Sequence, residues 1–357
     1  MECDVLVIGG GIVGLSAAHA LARLAPGTRV VVLEEEAGPG GRRSGIVHSG
    51  IQARPGSARA RFAVRGAAEM VKFCAEHGIP HEVTGELILP TGRAELPRLH
   101  ALAQRGRRHG IPVRELGPAQ IREYEPEVRA PAAVRVGSTA IVDEGRVAAQ
   151  LVRSSGAEVR YGVRVERIGG RAGGFGSGAG SGSGFGSGFG SGACEVRVAS
   201  GEVLRAKVLV RCAGGRGVPG PGQVYRLARP SLVRGVVRVA PPGVGEAVHG
   251  VCLIRGVDGV VHVGGGMRRP LSEPAFVEAV RGVLPGVSGA DLVPVPGAGG
   301  GGDGDGAGDG DGVHGDDLQV RETEGVVHVL NLPSEGAGVA LPVGGEVARR
   351  ALRMLRG

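Results

Sequence analysis

Residues 4–22, "DVLVIGGGIVGLSAAHALA", place an apolar run directly before three consecutive glycines and follow them with small residues at helical spacing. A backbone that turns sharply and must approach something bulky needs residues without a Cβ. Val5 to Ile8 read as a short buried strand, Gly9, Gly11 and Gly14 match G-x-G-x-x-G, and the stretch from Leu15 reads as a helix. "TRVVVLEEE" then supplies a second buried strand ending at Glu34, 20 residues beyond Gly14. A glycine motif alone would fit a helix that merely packs closely on a sheet. With strand, turn, helix, second strand and terminal acid all present, the unit predicts a dinucleotide site. Its glycines serve the turn and the close approach, its helix amides face a diphosphate, and Glu34 meets ribose hydroxyls.

Composition narrows the class. At 357 residues the chain can bury a large core and reads as two domains, with interleaving of their segments left open. It enters the first strand pattern without a basic leader, and no apolar run is long enough to cross a bilayer, so the expectation is a soluble, cytoplasmic protein. Cys3, Cys74, Cys194, Cys212 and Cys252 lack the short paired spacings of a zinc or redox site and read as buried small apolar residues, with no metal expected. The net charge of +7 comes from arginine, since lysine occurs only at positions 72 and 207. The densest basic cluster, "AQRGRRHGI" at 103–111, has no interleaved aromatics for base stacking; it reads as a solvated helix end, and no nucleic-acid partner is expected.

Two glycine-rich tracts, 169–192 and 297–317, cannot bury enough side chain to offset the entropy of ordering and are expected to be flexible. The first lies between strand-like segments and reads as an enlarged hairpin loop. The second holds "DGDGAGDGDGVH" from Asp303, with His314 where an EF-hand needs its bidentate Glu, so it reads as an acidic spacer.

Further along, "EAGPGGRRSGIVHSGI" at 36–51 resembles the loop by which a flavoprotein chain runs past the diphosphate towards the flavin. Together with 47–91, with "ELPRLHALAQRGRRHGI" at 95–111 and with "TAIVDEGRVAAQLV" at 139–152, it resembles the L-2-hydroxyglutarate dehydrogenase/oxidase family, FAD enzymes of the D-amino-acid-oxidase-like superfamily. The likeness is dense over residues 3–165 and thinner beyond. It implies an α/β fold: a Rossmann-like FAD-binding domain of the glutathione-reductase/D-amino-acid-oxidase type with an inserted, mostly antiparallel substrate domain. The FAD domain is expected from 1–80, 144–218 and 322–357, and the substrate domain from 81–143 and 219–296. Periodicity agrees with that layout. "HEVTGELILPT" and "AAVRVGSTAIVD" read as strands, "EGRVAAQLVRSSG" as a helix, and the final "GVVHVLNLPSEGAGVALPVGGEVARRAL" as strand, glycine turn and helix.

The resemblance also implies roles. Cofactor contacts fall on Gly9, Gly11, Gly14, Glu34, Ser44 and Gly45, on Val165 near the adenine, on the turn Cys212-Ala213-Gly214, and on Gly336 and Gly338, where helix amides would stabilise the reduced ring's charge. Oxidising a 2-hydroxy acid removes a hydride and the hydroxyl proton, so the site needs a proton acceptor and a carboxylate clamp. His48 matches the family's His in its Ser-Gly-Val-Ile-His stretch, and Arg234 the Arg of its Phe-Arg-Gly stretch. The implied substrate is a small 2-hydroxy dicarboxylic acid, L-2-hydroxyglutarate, oxidised to 2-oxoglutarate. Oxygen or a quinone is the implied acceptor, and peripheral contact with the inner membrane is left open. Departures from the family pattern are Gly250-Val251-Cys252 in place of Gly-Val-His, "VGGGMRR" in place of Gly-Pro-Asn, and Asn331-Leu332-Pro333-Ser334-Glu335 near the end. They keep open an amino-acid or amine oxidase of the same superfamily, and a non-catalytic flavoprotein.

Overall fold

A computed structural model describes residues 1–38, 45–170, 193–212, 224–239, 250–266, 272–295, 317–332 and 336–356. Ser44, Ala213, Gly214, the Asp303–His314 stretch and all but the margins of the two glycine tracts lie outside the described residues. The chain forms two compact units, and it passes back and forth between them. One comprises 1–43, 144–216 and 315–357; the other comprises 44–143 and 217–314.

The first passage gives β1 (Glu2–Ile8), α1 (Ile12–Leu24) and β2 (Val30–Leu33). The second gives β3 (Ile46–Val47), α2 (Ala58–Glu76), β4 (His81–Glu82), β5 (Glu86–Leu89), α3 (Leu96–Arg108), β6 (Val113–Leu116), α4 (Pro118–Tyr124), β7 (Ala133–Val136) and β8 (Ala140–Val142). The third holds α5 (Glu144–Ser155), β9 (Glu158–Arg160), β10 (Val165–Gly170), β11 (Cys194–Val198) and β12 (Val203–Arg211). The fourth holds β13 (Val224–Leu227), β14 (Val236–Val239), β15 (Gly250–Arg255), β16 (Val261–Gly266), α6 (Glu273–Arg281) and β17 (Leu292–Pro294). The last has β18 (Gln319–Thr323), β19 (Val326–Leu330) and α7 (Ala340–Arg356).

In the first unit the sheet runs β10-β11-β12-β1-β2-β9, with β12, β1, β2 and β9 mutually parallel. β19 joins the C-terminal end of β12, where Leu209 lies beside Val326. β2 is buried along its length, which is why it reads as an unbroken apolar run. Helices α1 and α7 meet at Gly344, where a Cβ would lie 2.5 Å from the Ser16 carbonyl carbon. Only glycine permits that approach.

In the second unit the large sheet runs β17-β13-β16-β15-β14-β5-β7-β6 and is antiparallel except where β14 pairs with β5. A small sheet runs β3-β8-β4. α6 lays Phe276, Val277 and Val280 against Val237, Val239, Leu253 and Val263, with the Phe276 and Tyr225 rings stacked at 4.9 Å. Strand alternation therefore turns Val236 and Arg238 to the opposite face.

Four sequence readings change. Residues 44–80 cluster with the second unit rather than with the dinucleotide fold, because β3 pairs with β8 and Ile51 packs with Leu99 and Ala103 of α3. "HEVTGELILPT" is two strands in two sheets, divided at Gly85, whose φ of +69° redirects the chain and whose N–H donates to the Thr139 carbonyl. "AAVRVGSTAIVD" divides in the same way into β7 and β8. Among the cysteines, Cys3, Cys74 and Cys194 are buried, whereas Cys212 and Cys252 are partly exposed.

Candidate active site

The first unit carries a cradle built from its own backbone. Gly9 has φ of +101°, a conformation L side chains rarely adopt, and its N–H donates to Leu33 at 2.8 Å, which ties the turn to β2. A Cβ on Gly14 would collide with the Gly9 carbonyl oxygen, and one on Gly10 would come within 2.8 Å of the Glu34 Cβ. Gly11 caps α1 without a side chain, and the first turn of the helix holds no acid. That leaves the leading amides of α1 suited to an anion.

Glu34, half-buried at the end of β2, donates its N–H to Arg160 and accepts the Val163 N–H at 2.8 Å. Val165 begins β10 two residues later, so the segment beside Glu34 leads directly into that strand. Cys212 donates its N–H to Ile8 at 2.9 Å, and burial of the thiol pushes its pKa up to about 12, so it carries no thiolate near neutrality. Gly336 and buried Gly338 form the single 3-10 turn before α7. His19, an imidazole the motif would draw attention to, is tied to Ser154 at 2.7 Å between α1 and α5 and is structural.

Gly45 belongs to the second unit. Its φ is +64°, it accepts the Val142 N–H at 2.8 Å, and a Cβ there would meet the Val142 carbonyl oxygen at 2.5 Å. Close approach to β8 accounts for this glycine.

Three residues beyond it, His48 is buried beside Glu86 of β5, with Nδ1 3.8 Å from Oε2. Arg238 of β14 reaches the same oxygen at 3.3 Å. The Glu86 side chain is fully buried, and neither of its oxygens has a hydrogen-bond partner among the described residues. Ser49 Oγ and Thr139 Oγ1 are also buried without such a partner. Buried polar atoms in a folded protein are nearly always satisfied, so a local group of exceptions marks a place prepared for a polar ligand or water.

Arg234 is not brought to this cluster. It is exposed and lies before β14, held by its backbone: its N–H and that of Gly235 donate to Glu125 at 2.9 and 2.7 Å. Burial pushes the Glu125 carboxyl above its ordinary pKa, against those two donors. The guanidinium that does meet the His48 neighbourhood is Arg238, four residues on. Neither Glu86 nor Arg238 was singled out by sequence, although each is a lone charge in a buried strand.

The sequence matches the FAD dependent oxidoreductase family, DAO, over residues 4–350. The chain belongs to this family. FAD is thus the cofactor of this oxidoreductase, and the glycine cradle with Glu34 fits it. L-2-hydroxyglutarate dehydrogenase of Indibacter alkaliphilus is 28% identical over 422 residues, spanning 99% of this chain and 100% of that protein. Among solved structures, L-alpha-glycerophosphate oxidase from Mycoplasma pneumoniae has a TM-score of 0.73 at 16% identity, covering 100% of this chain and 95% of that one. Glycine oxidase from Geobacillus kaustophilus has a TM-score of 0.71 at 17% identity, covering 99% and 95%. At these identities the structures speak for the fold, and the expected D-amino-acid-oxidase type is borne out.

Proposed function

We propose that this DAO-family protein oxidises L-2-hydroxyglutarate to 2-oxoglutarate, with Gly9, Gly11, Gly14 and Glu34 holding the diphosphate and ribose of FAD. The observation that carries this reading is the likeness to an L-2-hydroxyglutarate dehydrogenase over the full length of both chains. Bound FAD supplies the acceptor for the hydride on the hydroxyl-bearing carbon. His48 takes the hydroxyl proton, and Arg238, in place of exposed Arg234, pairs with a substrate carboxylate. Desolvation strengthens that pairing. Oxygen or a quinone then takes the electrons.

The test is anaerobic mixing with 2-hydroxy and 2-amino acids while the flavin absorbance is followed. L-2-hydroxyglutarate bleaches the flavin and the D enantiomer does not. His48→Ala slows bleaching roughly 100-fold, and Arg238→Met chiefly weakens substrate binding. Rapid bleaching by an amino acid with none by L-2-hydroxyglutarate would replace this reading with an amine oxidase.

A further inference from the structure

We infer that Glu86 is a positioning residue, one that sets the proton affinity of His48 by balancing Arg238; its catalytic meaning rests on His48 being the base proposed above. Glu86 opens a strand that is otherwise Leu-Ile-Leu and buried throughout. A carboxylate with no solvent exposure keeps its charge only beside cations or donors. Two arrive from separate elements. His48 comes from the chain just after β3, and Arg238 comes from β14, whose parallel pairing sets Val236 beside Glu86 and Arg238 beside Ile88.

A salt bridge that served only to fasten two strands would fill the carboxylate's lone pairs with good hydrogen bonds. Here neither Glu86 oxygen has one among the described residues, and the same oxygen lies within ion-pair distance of both the imidazole and the guanidinium. The charges explain what this arrangement does. With His48 neutral, Glu86 and Arg238 cancel. When His48 takes a proton, the new cation forms 3.8 Å from Glu86, which offsets the opposition of Arg238. Nδ1 is the ring nitrogen within ion-pair distance of Glu86.

Among the described residues, the other ionisable groups near this sheet face do not substitute for this carboxylate. Cys252 of β15 lies across from Arg238, and exposed His262 of β16 lies further along the same face. From α3 and its end, Arg105 donates to the Gln52 carbonyl and His109 Nε2 lies 3.1 Å from the Ala53 carbonyl. None of these is an anion near neutrality.

The test follows the protonation of His48 by NMR of the 15N-histidine-labelled holoenzyme, with its signals assigned by comparison with His48→Ala. The pH dependence of flavin reduction by L-2-hydroxyglutarate is measured in parallel. Glu86→Gln keeps the shape and removes the charge. It moves the His48 midpoint about one pH unit or more towards acid and lowers the plateau rate of reduction, while Glu86→Asp stays near wild type. Arg238→Gln moves the midpoint the opposite way, so a decision remains if Glu86→Gln fails to fold. A folded Glu86→Gln or Arg238→Gln protein with an unshifted His48 midpoint overturns the inference. Failure of the base assignment looks different: His48→Ala then reduces flavin at the wild-type rate, while the NMR midpoint in Glu86→Gln still falls.

Discussion

Cys252 stands directly across from Arg238 in the β14–β15 pair, on the sheet face that also carries Glu86. It is half-buried and packs against the cluster of Ile46, Ile141 and Val236. The resemblance places an imidazole at this position. Cys252→His therefore sets a second proton carrier beside the guanidinium, and we expect flavin reduction by L-2-hydroxyglutarate to rise about tenfold. Cys252→Ser, which keeps size but adds no base, should stay within about twofold. Equal rates for all three proteins would show that this face needs no second imidazole.

The cradle admits a sharper test. Any Cβ at Gly14 meets the Gly9 carbonyl oxygen, so Gly14→Ala must push α1 away from the turn that it closes. The expected outcome is a soluble protein purified with little or no bound flavin, read from the visible spectrum. Gly11→Val, which puts a branched side chain where the diphosphate approaches, should behave alike. A yellow, fully loaded Gly14→Ala protein would remove the cradle from cofactor binding.

β10 and β11 pair in antiparallel register up to Gly170 opposite Cys194, so the two strands already meet where the first glycine tract departs. Deleting residues 172–191 changes the closure entropy of that connection by only on the order of 1 kcal/mol. The deletion variant should keep its flavin and should melt near the parent temperature. Loss of soluble, loaded protein would show that the tract binds or packs against something.

Asp291 gives the second unit an acid sensitivity. Arg229 donates to both of its oxygens at 2.7 and 2.9 Å, and the Ser288 N–H and hydroxyl donate as well, which holds the carboxyl well below its ordinary range. A carboxylate whose pKa is depressed by folding contributes stability above its unfolded pKa of about 4 and loses it as pH falls towards the folded value. Thermal melts from pH 7 to pH 3 should therefore fall more steeply for the wild type than for Asp291→Asn, which starts lower. Parallel curves would place the acid sensitivity elsewhere.

What could be read from sequence was what is local. The turn from β1 into α1 and the acid at the end of β2 lie within 33 residues of one another, and each obeys a rule of spacing and residue type. Glu86 and Arg238 could not be found that way. A charged residue at the start of "ELIL" looks solvent-facing until β14 is known to lie alongside it, and that pairing joins segments some 150 residues apart. Likeness to a motif points to Arg234, yet the strand that begins just after it buries the guanidinium four positions on. One signal was available: a single charge inside a run of buried aliphatic residues occurs at both Glu86 and Arg238 and asks for a partner.

Pairing Leu209 with Val326, and seating Gly344 of α7 on Ser16 of α1, has a consequence for how the protein is made. The glycine turn is made before β12, and β19 and α7 follow only after the strands of the other unit. The described strands of the other unit have all been synthesised once Pro294 is in the chain, before α7. Translation thus delivers the segments in an order that lets the second unit fold while β12 and α1 still wait for β19 and α7. Through that interval the edge of β12 that β19 covers is open to wrong pairings.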